Sequence, residues 1–368
     1  MTGQVLIVGG GVAGLTAAIA LSLKGYVPTV VELYGKPHGS GLGFGERALE
    51  ALDDLGAAMP LLAHSTIEDR MFFRDREGKE INQTPYPRSH RAHLPAHVTM
   101  SRASLSHVLS TRAAALEVDV RVGVTWSELE QEPAGVAALL TDGTRARYDF
   151  VVAADGAYSK TREQIMGGPV ALEFLGQGAW RWLAPWASSQ PPAGCTYMSP
   201  DVKMGIYPLT DNEVYLFATQ NFATKPWMDE RRLGELFSEV LRGFDVPLIQ
   251  EYRNLINGSD NITFRPLEAF MMPDPWAKGR IVAIGDAAHT LSPHLGSGAA
   301  MAIEDAWVLA DCVATHAGWE SALREFMARR YRRTRLVYEA SNSLCSWDST
   351  EEFARRRAQA RAVLEEPL

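Results

Sequence analysis

Three short runs carry the residues whose types and spacing could do chemistry. The first is Gly9-x-Gly11-x-x-Gly14, which follows an apolar segment and opens a helical one. In such a turn the first glycine allows a tight bend and the second lets backbone approach a pyrophosphate. The third lets strand and helix pack closely, and the helix start presents free N–H groups and partial positive charge to phosphates. Glu32 ends the next apolar segment, where a carboxylate can accept hydrogen bonds from a ribose diol. The second run, Ala-Ala-Asp-Gly-Ala-Tyr-Ser-Lys-Thr-Arg over 153–162, reads by itself as an Asp155-Gly156 turn capping a helix. The third is Ile284-Gly285-Asp286-Ala287-Ala288-His289, continuing through Pro293, Gly296 and Gly298 to Ile303-Glu304-Asp305-Ala306. A carboxylate at a strand end, then a glycine-rich loop feeding a helix, can hold a sugar-like hydroxyl and aim a helix dipole at an anion.

The elements that must position these runs follow from periodicity. Apolar strands over 4–8 and 28–32 flank a helix over 15–24 that Gly25 ends, the pattern of a parallel sheet covered on both faces. Helices are expected over 46–55 and 101–116, the latter capped by Ser101, with strands over 118–124 and 150–154 and a hairpin around Asp142-Gly143. Residues 67–98 and 170–275 read differently: proline-interrupted or aromatic-rich, with strand-like alternation over 203–207 and 214–218. A last buried strand over 280–284 leads to a helix over 298–314. The fold class is therefore α/β, a Rossmann-like domain with a parallel sheet, interleaved with a smaller strand-rich domain and ending in a helical segment. The expected division is 1–66, 99–169 and 276–345 for the first domain, 67–98 and 170–275 for the second, and 346–368 for the C-terminal helix.

Composition narrows the partners. The 368 residues carry 36 basic and 44 acidic side chains, a formal charge of −8, which argues against binding nucleic acid. No stretch approaches the roughly 20 apolar residues of a membrane span. Cys195, Cys312 and Cys345 are too few for a disulfide framework and lack metal-ligand spacing, so a reducing cytoplasm is expected. His90, His93 and His97 are interrupted by Pro95 and have no supporting ligands, so no metal is expected. The basic run Arg329, Arg330, Arg332, Arg333 and Arg335 reads as a solvated helix face.

The three runs, in this order and spacing, resemble the single-component FAD-dependent aromatic hydroxylases typified by para-hydroxybenzoate hydroxylase. That resemblance covers residues from Val5 to about Ala314. It implies that Gly9, Gly11, Gly14 and Glu32 hold the ADP half of FAD and that Arg102 lies against the cofactor. Asp286 would bind the ribityl chain, and Asp155 would serve both FAD and a transient nicotinamide cofactor. Gly296, Gly298 and Ala299, where the late helix starts, would face the flavin edge, with Pro293 as a wall beside the reacting carbon. Relatives often carry Gly-Gln-Gly where this chain has Gly296-Ser297-Gly298, and a basic residue where it has Leu33-Tyr34. The implied activity is NAD(P)H- and O2-dependent hydroxylation of a small aromatic or heteroaromatic compound through a flavin C4a-hydroperoxide, by a monomer or homodimer.

On the substrate side, the strand over 176–186 must turn Arg181 away from its neighbours Trp180 and Trp182. Arg181 is open between a carboxylate or phenolate receptor and a surface salt bridge. Tyr207 and Tyr215 are open between bonding a substrate hydroxyl and packing in a core. His294 is the candidate for substrate contact or proton relay, whereas His289 is expected to bond backbone within its loop. The other readings are a flavin-dependent halogenase, suggested by Trp180-x-Trp182 but lacking a convincing lysine at Lys36 or Lys79, a ring-opening or Baeyer–Villiger oxygenase, and an FAD-binding protein that does not oxygenate.

Overall fold

The computed structural model describes residues 3–35, 41–187, 193–210, 212–256, 261–347 and 349–365. Its first sheet runs Ala277–Lys278, Ile281–Ala283, Phe150–Ala153, Gln4–Val8, Val27–Glu32, Asp119–Val122, parallel except for the first pair. The central strands are buried almost throughout, as continuous apolar runs demand when both faces are covered. Helix Val12–Leu23 starts three residues earlier than its apolar periodicity suggests, because Gly11 already serves as N-cap in an extended conformation. Its residues Ala13–Leu21 are all buried, which is why its hydrophobic pattern has no polar side to mark a boundary. Helix Arg102–Ala115 begins at Ser101, whose side chain accepts from the Ser104 N–H.

A second, eight-stranded sheet is mixed, in the order His289–Thr290, Thr263–Met271, Glu173–Pro185, Glu213–Asn221, Val202–Pro208, Cys195–Met198, Arg70–Asp75, Glu80–Pro85. Register sets its two faces. Trp180, Trp182, Leu216, Ile206 and Met204 point to one side, where helices Leu233–Leu241 and Pro247–Leu255 bring Phe237, Ile249 and Tyr252 to form a separate core. Each apolar side chain buried there contributes about 2 kcal/mol. The opposite face carries Gln177, Arg181, Lys203, Tyr207, Tyr215 and Phe217, and it meets the first domain through a small sheet of Gly41–Gly45, His97–Ser101 and Thr66–Glu68. There the Tyr215 ring lies so close to Gly41 that a Cβ on Gly41 would stand 2.3 Å from it.

The late helices close the structure. Gly298–Thr315 packs against Val12–Leu23, with Gly285 wedged between Ala13 and Ala302. Trp319–Asn342 crosses it, and Thr350–Arg361 folds back over Phe73 and Tyr86 at the edge of the second sheet. The basic run of the long helix meets the expectation of a solvated face only in part: Arg332 and Arg335 are exposed, and Arg335 pairs with Glu339 one turn on at 2.8 Å. Arg330 and Arg333 are 0% and 4% exposed, and Arg329 is paired with Asp311 at 2.8 Å. Their charge is neutralised across helices, by acids that local spacing does not reveal. No helix among the described residues is long and apolar enough to cross a membrane.

Candidate cofactor and substrate site

Parallel strands deliver their ligand-binding loops at their C-terminal ends, and all three runs lie there. Gly9 takes φ +106°, closed to an L side chain, and a Cβ on Gly14 would lie 1.8 Å from the Gly9 carbonyl. Gly11 differs, since nothing lies within 4 Å of where its Cβ would be. Two of the glycines are thus demanded by packing, while the third leaves open room in front of a helix start. That room is what the backbone-to-pyrophosphate approach in FAD requires, so the residues present fit the group. Glu32 closes the loop from the next strand, its carboxylate accepting from Gly10 N–H at 2.6 Å and Tyr34 N–H at 2.7 Å.

Asp286 sits at the second helix start, its Oδ1 4.0 Å from where a Gly298 Cβ would stand. Burial pushes its carboxyl up, against the pull of Arg102 and His289. Asp155 is engaged locally: it accepts from Ser159 Oγ at 2.5 Å and from Thr161 N–H and Oγ1 at 3.0 and 2.9 Å, the capping pattern that its own run suggests. Arg162, from the same run, reaches the third, donating to the Ala287 carbonyl at 3.2 Å while lying over Phe270.

A buried ionic network holds the third run in place. Asp305 accepts from the Gly285 N–H at 2.9 Å, from His289 Nε2 at 2.5 Å and from Arg330 Nε at 2.8 Å. Glu304 accepts from Arg330 at 2.7 Å and from two nitrogens of Arg333 at 2.8 and 3.0 Å. Burial alone would raise the Asp305 carboxyl, yet His289 and Arg330 hold it below its usual range. His289 therefore bonds an aspartate side chain rather than loop backbone. Arg333 also donates to the carbonyls of Val363 and Leu364, tying the turn Ala362–Glu365 to the helix Gly298–Thr315.

The loop over 293–297 alternates outward and inward. Pro293 and Gly296 are exposed, whereas His294, Leu295 and Ser297 are buried. Gly296 approaches the Gly43 carbonyl, and beside it Gly43, His97, Ser297 and Arg361 line a cavity of about 20 Å3, room for a single water. The His294 ring faces the second sheet: Lys203 Nζ donates to its Nδ1, and its Nε2 donates to Gln177 Oε1 at 2.8 Å. Burial, reinforced by Arg357, brings Lys203 down to about 7, and burial beside Lys203 keeps His294 well below its usual range. Lys203 thus carries the proton of this pair.

The other substrate-side candidates separate. Tyr215 and Tyr207 are cross-strand partners, but the Tyr207 hydroxyl is buried against Thr196 Oγ1 at 3.1 Å, and burial near Glu68 raises it. Arg181 is half-buried on the same face, opposite Phe217. Trp180 and Trp182 belong to the core under the two helices, so they do not enclose a ligand facing the flavin loop. Of the lysines weighed for a halogenase, Lys79 is exposed at a strand turn and Lys36 lies outside the described residues. Among the histidines 90, 93 and 97, His93 pairs with Asp53 at 3.0 Å, and His97 lies 3.4 Å from Glu68 and stacks on Tyr86. Sequence reasoning missed Lys203, Gln177 and Arg357. For Lys203 a signal existed, since it shares strand parity with Tyr207; the C-terminal helix offered none.

Comparison with known proteins completes the site. The family described as FAD binding domain matches residues 2–341. YetM of Bacillus subtilis, a protein assigned as an FAD-dependent monooxygenase, is 31% identical over 93% of this chain and 92% of its own length. The FAD-dependent urate hydroxylase of Mycolicibacterium vanbaalenii is 29% identical over 83% of this chain and 78% of its own. Among solved structures, Klebsiella pneumoniae HpxO complexed with FAD and uric acid superposes with a TM-score of 0.83 at 22% identity, covering 99% of this chain and 93% of that one.

Proposed function

The chain belongs to the FAD binding domain family of FAD-dependent hydroxylases, and on that premise we propose that it uses NAD(P)H and O2 to hydroxylate a small aromatic or heteroaromatic compound. The observation that carries this reading is the pairing of open backbone at Gly11 with Asp286 beside the Gly298 helix start, on the same sheet edge and facing a second sheet. When bound, FAD supplies the redox chemistry by which electrons from the nicotinamide reach O2.

The chain's own residues bind, orient and shield. Gly9, Gly11 and Gly14 shape the pyrophosphate cradle, and Glu32, held by Gly10 and Tyr34 through one bond to each oxygen, keeps lone pairs to accept from the ribose. Asp286 holds the ribityl hydroxyls, Arg102 counters its charge, and Asp155 fixes the turn of the second run. The start of helix Gly298–Thr315, with Gly296 and Ala299, stabilises negative charge at the flavin edge by about 0.3–1 kcal/mol, more where buried. Pro293 walls the substrate side. The sheet face bearing Arg181, Tyr215 and Phe217 excludes water from it, as oxygenation requires.

The test is direct. Purified protein should be yellow, and phenols, aromatic acids and hydroxypyridines should be screened for stimulated NAD(P)H oxidation with a product 16 mass units heavier, the mass of one oxygen atom by its chemistry. Colourless protein that takes up no added flavin would overturn the reading, as would oxidation yielding only hydrogen peroxide with every compound.

A further inference from the structure

Beside the flavin loop the fold buries two cations that no acid balances. Lys203 is 4% exposed and Arg357 is 7% exposed. Both are anchored to one residue, Lys203 to the His294 ring and Arg357, through Nε, to the His294 carbonyl at 3.2 Å. Aromatic rings surround them: Lys203 lies 4.9 Å from the Phe353 centroid, and Arg357 lies 5.9 Å from that of Phe73. Among the described residues neither is ion-paired with a carboxylate. The buried acid Glu68 is spent elsewhere: it accepts from Thr99 Oγ1 and the Gly194 N–H, both at 2.9 Å, and faces His97. Arg361 adds further positive charge over Tyr86.

A third feature points to the same place. Thr219 is the cross-strand partner of Lys203, on the same sheet face and 1% exposed, and its hydroxyl has no hydrogen-bond partner among the described residues. Burying two neighbouring positive charges costs several kcal/mol unless an anion joins them, and an unpaired buried hydroxyl adds to that cost. Cation–π contacts offset only part of it. An anionic ligand group seated between them would remove that cost.

We propose that Lys203, Arg357 and Thr219 form a receptor for a negatively charged substituent of the substrate, so that the enzyme acts on an anionic ring compound, an aromatic carboxylate or ring enolate. This rests on the monooxygenase reading for the word substrate, but the receptor itself does not need that reading. It also moves anion recognition from the half-exposed Arg181 to two cations sealed from solvent, where screening is weak. Cys345 faces Lys203, and Tyr86, Tyr207, His97 and Arg361 face Arg357, from the neighbouring elements; none of them is a carboxylate.

The test is binding, not turnover. FAD-loaded protein at pH 6.5 is titrated with charged and neutral twins: 4-hydroxybenzoate and 4-hydroxybenzamide, nicotinate and nicotinamide. Binding is read from the flavin difference spectrum. At least one anion should bind about 10- to 100-fold tighter than its twin, the range for hydrogen bonds to charged groups. Arg357→Gln and Lys203→Met should each erase that preference, weakening the anion at least about 10-fold more than its neutral twin, and Arg357→Lys should keep part of it. Equal binding of all twins, no binding of any anion, or a preference that survives the Lys203→Met/Arg357→Gln double variant overturns the proposal. So does chloride alone reproducing the whole spectral effect. Should the protein hold no flavin, thermal shifts with the same pairs still report on the receptor, so the two readings fail separately.

Discussion

Replacing Lys203 by methionine isolates the cost of its buried charge. Burial and the neighbouring Arg357 bring this amine from its ordinary 10.5 down to about 7. Above pH 7 the native amine sheds its proton while the unfolded chain keeps it, so the unfolded state binds more protons and stability must rise with pH. One proton contributes at most about 1.4 kcal/mol per pH unit. Between pH 7 and 8.5 the wild type should therefore gain about 1–2 kcal/mol relative to Lys203→Met. Below pH 7 both states are protonated, and the contribution is flat. Methionine keeps the stem against Phe217 and Phe353 and abandons the hydrogen bond to His294, which shifts the offset between the two proteins but not its pH slope. The assay is urea denaturation of both proteins at half-unit steps from pH 7 to 8.5. Stopping there avoids the cysteines, which burial raises to about 11 and whose effect opposes that of the lysine. A difference that stays constant with pH, or moves against the wild type, would refute the claim that Lys203 is buried as a charge.

The glycines of the first run should respond in opposite ways. Gly14→Ala, with no space beside the Gly9 carbonyl, should destabilise the fold by about 3 kcal/mol, seen as a lowered urea midpoint. Gly11→Ala has space and should leave that midpoint within about 1 kcal/mol, yet lower FAD affinity at least about 10-fold in a fluorescence titration. Asp286→Ala should cut FAD retention by a similar factor, and unchanged flavin occupancy after gel filtration would refute its role. Arg330→Met strands Glu304 and Asp305 without their shared cation and should cost about 3–5 kcal/mol; a loss below 1 kcal/mol in denaturant would contradict the network.

What was legible in the amino-acid order is whatever a local period or a steric demand writes there. Alternation placed Arg181 opposite Trp180 and Trp182, glycine spacing marked the strand-to-helix turn, and Ser101 and Asp155 announced their caps. These depend on neighbours within a few residues, so spacing alone carries them. The face of the second sheet that looks toward the flavin loop was decided by where the helices Leu233–Leu241 and Pro247–Leu255 dock, which no alternation specifies. Likewise the arginines of the long helix look solvated by spacing. Arg330 and Arg333 are buried all the same, because a crossing helix offers Glu304 and Asp305 at that depth. Lys203, His294 and Arg357 come from a strand, a loop and the last helix, and share one buried locus. Charge pairing has no period along a chain: it depends on distance in space and on the exclusion of water, and both exist only once the layers have packed.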